Sequence, residues 1–228
     1  HQNEALVAGG AVHVGGAEVR VVNSTLAANS AATAGGMMLS ASAAGGGIAT
    51  GALQAATVAH NSDRVLAGGV VVEGTGATLE VAASILAYNF QVTTSGLRAP
   101  IDLAVRGGGR FASAGGNVIV HPGSAWLVPG PGDLLAVDPL LGSLGFHGGR
   151  TQVFPLGAAS PARERGFSAV DAALSTDQRG FSRVWPQDGR MDAGAFEFSA
   201  ELQLDYSPRP LEWTAAQTPA TLSARVTL

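Results

Sequence analysis

The most interesting grouping of side chains that could act on a substrate is Arg98, Asp102, Arg106 and Arg110, spaced four residues apart. Together they could line a groove for an acidic polysaccharide. A lyase working there needs a base to take a proton and a cation to hold the developing enolate, and this set offers both. The same residues also make an ordinary solvated loop whose charges partly cancel. A second grouping lies downstream, where Asp177, Arg179, Asp192 and Glu197 stand on or beside small-residue turns. Paired carboxylates there suit glycoside hydrolysis. An Arg179 fork held by Asp192 or Glu197 suits a structural lock instead, with Phe181, Trp185 and Phe196 as an apolar plug. Asp133, Asp138, Asp188 and Asp192 are oxygen ligands of the kind calcium takes, but they lack the alternating spacing of a dedicated calcium loop. No other metal or cofactor is implied. The five His (1, 13, 60, 121 and 147) share no ligand spacing, and there is no Cys to supply a nucleophile or thiolate site. There is no Gly-x-Ser-x-Gly elbow, and Gly107-Gly108-Gly109 opens no helix, so it reads as a turn.

The chain that must position these groups has 228 residues, of which 41 are Ala and 32 are Gly. Only 13% are charged and 6% aromatic. All thirteen basic residues are Arg and the net charge is −4, a balance that argues against a nucleic-acid partner. From Val21 to Ser62 there is no formal charge. Gly pairs and triplets with Ser, Thr and Asn break that stretch, so it offers no membrane-spanning run of about twenty apolar residues. The aromatic girdles of a membrane barrel are absent too. Composition changes near residue 120: residues 1–120 hold 20 of the 32 Gly, but one of 11 Pro and three of 13 aromatics. A repetitive body is expected over 1–120, a differently packed cap over 121–198, and a β tail or the start of a β-sandwich over 199–228. In that tail, residues 201–206 and 221–228 alternate in polarity.

The repeat appears once Asn is taken as its anchor. Ser24-Thr25-Leu26-Ala27-Ala28-Asn29 matches Ala56-Thr57-Val58-Ala59-His60-Asn61, and again Ser84-Ile85-Leu86-Ala87-Tyr88-Asn89. Ala-Gly-Gly recurs at 8–10, 34–36 and 67–69, each time before a short apolar segment. A period in the twenties to low thirties marks a solenoid. The short alternating pieces between Gly turns favour strands over helices. The fold class expected is all-β: a right-handed parallel β-helix (solenoid) with an irregular C-terminal cap and a short β tail. Coils stacked about 4.8 Å apart place like on like, so Asn29, Asn61 and Asn89 should form a ladder of bonded side-chain amides. Such a stack leaves open strand edges. The repeat runs to His1 with no polar cap before it, so further coils are expected upstream.

From about residue 84 the chain resembles the bacterial choice-of-anchor Q family of surface proteins. The stretches that carry the resemblance begin with Ser84-Ile85-Leu86-Ala87, Gly116-Asn117-Val118-Ile119 and Gly132-Asp133-Leu134-Leu135-Ala136-Val137-Asp138-Pro139-Leu140-Leu141. They continue with Gly148-Gly149-Arg150-Thr151, Ala159-Ser160-Pro161-Ala162, Thr176-Asp177-Gln178-Arg179-Gly180-Phe181 and Asp192-Ala193-Gly194-Ala195-Phe196-Glu197. Arg150 replaces the usual Pro after Gly-Gly, and Arg163-Glu164 replaces an apolar residue and Asp after Ser-Pro-Ala. The resemblance implies a parallel β-helix ending in a varied anchoring segment, outside the cell or on the bacterial surface. The function expected is a non-enzymatic structural or adhesive module, with a surface polysaccharide or another surface protein as partner. Two alternatives stand beside it. One is a polysaccharide lyase or glycoside hydrolase with part of its site upstream, and the other is a scaffold subunit of a larger surface assembly.

Overall fold

Apolar segments of three to six residues, broken by Gly and by corners with left-handed backbone, cannot extend into long strands. They turn the chain through a closed circuit instead. The computed structural model describes residues 1–41, 47–123, 127–166, 174–183 and 190–198, together with the backbone of 202–203 and 225–226. The first pass forms β1 (Glu4–Ala8), β2 (Val12–Gly15), β3 (Glu18–Val22) and β4 (Thr25–Ala27). The second forms β5 (Ser30–Thr33), β6 (Met37–Ser40), β7 (Ala49–Gln54) and β8 (Thr57–Ala59). The third forms β9 (Ser62–Asp63), β10 (Val70–Glu73), β11 (Ala77–Ala82) and β12 (Ile85–Ala87). The fourth forms β13 (Phe90–Val92), β14 (Arg98–Pro100), β15 (Leu103–Arg106), β16 (Arg110–Gly115) and β17 (Val118–Ile119). The parallel columns β1-β5-β9-β13, β2-β6-β10-β15, β3-β7-β11-β16 and β4-β8-β12-β17 make four faces. The protein is thus an all-β parallel solenoid of about three turns.

Like residues stack on like through the interior. Val12, Met37, Val70 and Leu103 are in register on the second face, and Leu26, Val58, Leu86 and Ile119 on the fourth. These side chains meet in one inner cluster. The Ala-Gly-Gly marker has a steric cause at the corner between the first and second faces. A Cβ at Gly35 would stand 2.2 Å from the Ser62 carbonyl oxygen, and one at Gly68 would stand 2.4 Å from the Phe90 nitrogen, each on the next coil. Only a bare backbone permits one coil to approach the next that closely.

The cap expected over 121–198 divides in two. The described residues of 121–137 close the end of the solenoid: β18 (Leu134–Leu135) pairs with β17, and Leu127 and Leu135 pack against the inner cluster. The described residues of 138–198 lie along the outer side of the fourth face, back to the first pass, and we call them the clasp. Phe154 packs on Ala27 and Ala59, and Val153, Leu156 and Phe196 pack with Ile85, Ala87 and Val118. Thr25 Oγ1 donates to Gln178 Oε1 at 2.7 Å, Ala195 N to Thr57 Oγ1 at 3.0 Å, and Gly194 N to the Ala83 carbonyl at 2.8 Å. The reason lies in the outward residues of that face, which are small or apolar and need cover. Residues 1–198 form one compact unit and 199–228 a second. In the second, β19 (Leu202–Gln203) and β20 (Arg225–Val226) pair antiparallel. No helix among the described residues is long and apolar enough to cross a membrane.

Candidate functional site

The corner between the fourth and first faces is built the same way on every pass. Gln2, Ala28, His60 and Tyr88 hold left-handed backbone there, at φ 59°, 54°, 57° and 59°. Each is followed by an Asn, exposed at Asn3 and buried at Asn29, Asn61 and Asn89. Asn3 Nδ2 donates to Asn29 Oδ1 at 2.9 Å, Asn29 Nδ2 to Asn61 Oδ1 at 2.8 Å, and Asn61 Nδ2 to Asn89 Oδ1 at 2.9 Å. Each receiving Oδ1 also accepts the backbone N–H of the preceding Asn. The column ends on Asp102, whose Oδ1 accepts Asn89 Nδ2 at 2.7 Å and whose Oδ2 accepts His121 N at 2.7 Å. A second column runs along the corner between the third and fourth faces. There Ala56 N donates to Ser84 Oγ, Ser84 N to Asn117 Oδ1, and Asn117 N to Asp133 Oδ1. This column also ends on an aspartate.

The Arg98–Arg110 cluster does not assemble as a groove. Asp102 is fully buried as the last rung of the ladder, and burial pushes its carboxyl up against the pull of the bonds from Asn89 and His121. Arg98 lies on β14 at the first face, over the Phe90 ring at 4.3 Å. Arg106 ends β15 on the second face, paired with Glu73 at 2.8 Å. Arg110 begins β16 on the third. Residues four apart fall on different faces because the chain turns a corner between them.

In the clasp, the expected partners are exchanged. Arg179 Nε pairs with Asp177 Oδ2 at 2.8 Å, and its Nη2 donates to the Glu197 carbonyl rather than the carboxylate. Its guanidinium lies 3.6 Å from the centre of the Phe196 ring and 4.5 Å from that of Phe181. The Glu197 carboxylate meets Arg183 at 3.3 Å and the Asp192 N–H at 3.0 Å. Arg183, which spacing and residue type did not single out, is 1% exposed. It reaches the first pass, donating to Asn23 Oδ1 at 2.7 and 3.0 Å, and also donates to the Gly194 carbonyl at 2.8 Å. Burial first, and then the neighbouring Asp192, push the Glu197 carboxyl up to about 8. Burial also raises Asp192 and draws Arg183 down. Phe196 is buried as a plug residue, Phe181 is 46% exposed and is not, and Trp185 and Asp188 lie outside the described residues.

Of the remaining aspartates weighed for calcium, Asp133 accepts from Ser113 Oγ, Asn117 N and Gly130 N, and Asp138 accepts the Tyr88 hydroxyl. Asp192 accepts from the backbone of Glu164 and Phe198. Among the described residues no three His, Asp or Glu side chains converge as metal ligands. An open cleft of about 600 Å³ lies where the clasp meets the solenoid, lined by His60, Tyr88, Ser143, Leu144 and Phe154 among others. No protein-family model matches the chain, and neither a curated protein nor a solved structure matches it.

Proposed function

We propose that this chain is a rigid, non-catalytic shaft segment of a secreted or surface-attached bacterial protein, structural or adhesive in role. One observation carries the reading. Each of the five buried carboxylates among the described residues is an acceptor for backbone N–H groups. Asp63 Oδ2 takes those of Ala34, Val65, Leu66 and Ala67. Asp102 takes those of Asn89 and His121, and Asp177 those of Arg179, Phe181 and Glu197. Asp192 takes those of Glu164 and Phe198, and Glu197 that of Asp192. A general acid or base has to stand within hydrogen-bond reach of the substrate proton, whereas these carboxylates fasten coils and clasp together. The resemblance of residues 84–197 to the choice-of-anchor Q proteins supports the surface location.

The test is to incubate the chain with acidic and neutral polysaccharides, with and without calcium, and to weigh the products by mass spectrometry. Intact polymers are expected under every condition. Shortened or unsaturated products would overturn the reading and return attention to an enzymatic role.

A further inference from the structure

The corner that carries Asn29, Asn61 and Asn89 bears side chains that its turn does not require. A left-handed backbone suits Gly and is tolerated by Asn, Asp and His, but it is costly for a bulky residue such as Tyr. Ala28 makes the turn on the first full pass, at φ 54°, yet the next two passes place His60 and Tyr88 there. Their ring centroids lie 5.1 Å apart, and Phe154 of the clasp adds a third ring 5.2 Å from His60. Strain accepted at a recurring position points to a role for the side chain.

These rings open on the cleft of about 600 Å³ whose other wall includes Ser143 and Leu144, a size within the range of roughly 300–1,000 Å³ of small-ligand sites. The Tyr88 hydroxyl donates to Asp138 Oδ1, which also accepts Leu140 N, so the phenol is tethered to the clasp with its proton already assigned. The lining offers aromatic surface, an imidazole and two hydroxyls, and it contains neither a carboxylate nor a guanidinium. Aromatic faces carry negative charge density that meets the C–H face of a sugar ring, while the imidazole and hydroxyl edges can bond its hydroxyl groups. A uronate would find no cation there.

We propose that this cleft binds a neutral hexopyranose unit of a polysaccharide, stacked on Tyr88 and His60 with its hydroxyls held by the His60 imidazole and Ser143. The proposal rests on the shaft reading and names the ligand class of its adhesive form. The test is saturation-transfer NMR on the full chain with maltohexaose, cellohexaose and mannohexaose as neutral probes and trigalacturonate as the charged one. At least one neutral probe should receive saturation. His60→Asn, whose new residue tolerates the left-handed backbone, should weaken that probe's binding at least tenfold. Arg98→Ala, away from the cleft, should leave it unchanged. Ser143→Trp fills the cleft from an exposed loop and should abolish binding even if the His60 variant folds poorly. Silence from every neutral probe, preference for trigalacturonate, or undiminished binding in the Trp variant would overturn the cleft and leave the shaft standing. Probe recovered shortened after the experiment would count against the shaft reading and against a binding-only cleft alike.

Discussion

An amide ladder has a direction, and this one shows how a single atom ends it. Every Asn passes its Nδ2 donor to the Oδ1 of the next coil, so the final rung must accept without having to donate further. Asp102 does this: Oδ1 takes the last Asn and Oδ2 takes His121 N. Asp102→Asn keeps the shape and the bond to Asn89 but sets an NH₂ group against the His121 N–H. Two donors then face each other with no acceptor, and the cost should be about 2 kcal/mol, the range for a buried unsatisfied polar group. Denaturant unfolding measures it, and an unchanged midpoint would refute this account of the last rung. Asn29, Asn61 and Asn89 were legible in the sequence because each follows a similar small and apolar segment, with Ala two residues before the Asn, at spacings of 32 and 28. Asp102 was not, since it follows Asn89 by 13 residues rather than 28 or 32. Its place beside three arginines gave it the look of chemistry, and only the turning of the chain separates it from them.

At the scale of elements, that shortened step has a cause. After β13 the chain doubles back as β14, which pairs antiparallel and covers the last strand of the first face. Ile101 N donates back to the Asn89 carbonyl, and N–H groups alternate sides along a strand. Pro100 therefore stands where the outward N–H would be, a protected edge of the kind Pro provides. Pro100→Val restores that donor, and concentration-dependent self-association should follow in sedimentation equilibrium. A variant that stays monomeric would show the edge to be guarded by other means. The Gly pairs give a second prediction at this scale. Gly35→Ala places a methyl against the Ser62 carbonyl, so the coils must part, and stability should fall by about 3 kcal/mol in chemical denaturation. A loss under ~0.5 kcal/mol would mean the corner can relax. The solenoid was readable from sequence because stacked coils repeat residue types at the same corner. The clasp was not, because it answers to no period: Thr25 meets Gln178 and Asn23 meets Arg183 across more than 150 residues.

For the molecule as a whole, the clasp changes what kind of repeat protein this is. In a bare solenoid each coil touches only its neighbours, and stability is close to a sum of local terms. Here one segment packs on Ala27, Ala59 and Ile85 and holds Asn23 through Arg183, so the first and later passes are joined at a buried charge cluster. That cluster makes the join sensitive to pH. Glu197 is pushed up to about 8 in the folded chain, from an ordinary value of 4.5. Between those two values the folded state keeps a proton that the unfolded state releases, so the contribution is complete below about pH 4.5 and is lost as pH rises toward 8. Burial raises Asp192 as well, which adds in the same direction. Thermal unfolding followed from pH 5 to pH 8 should therefore show a falling midpoint, with Glu197 contributing at most about 1.4 kcal/mol per pH unit. Glu197→Gln keeps an acceptor for the Asp192 N–H but cannot titrate, so its midpoint should vary less across the same range and exceed the parent's near pH 8. His60, which burial lowers from 6.5, works the other way up to about pH 6.5, so the Glu197 share is the difference between parent and variant. A slope that survives the substitution would place the proton on Asp192 or another buried carboxyl, and identical profiles would mean Glu197 is charged throughout and held by Arg183.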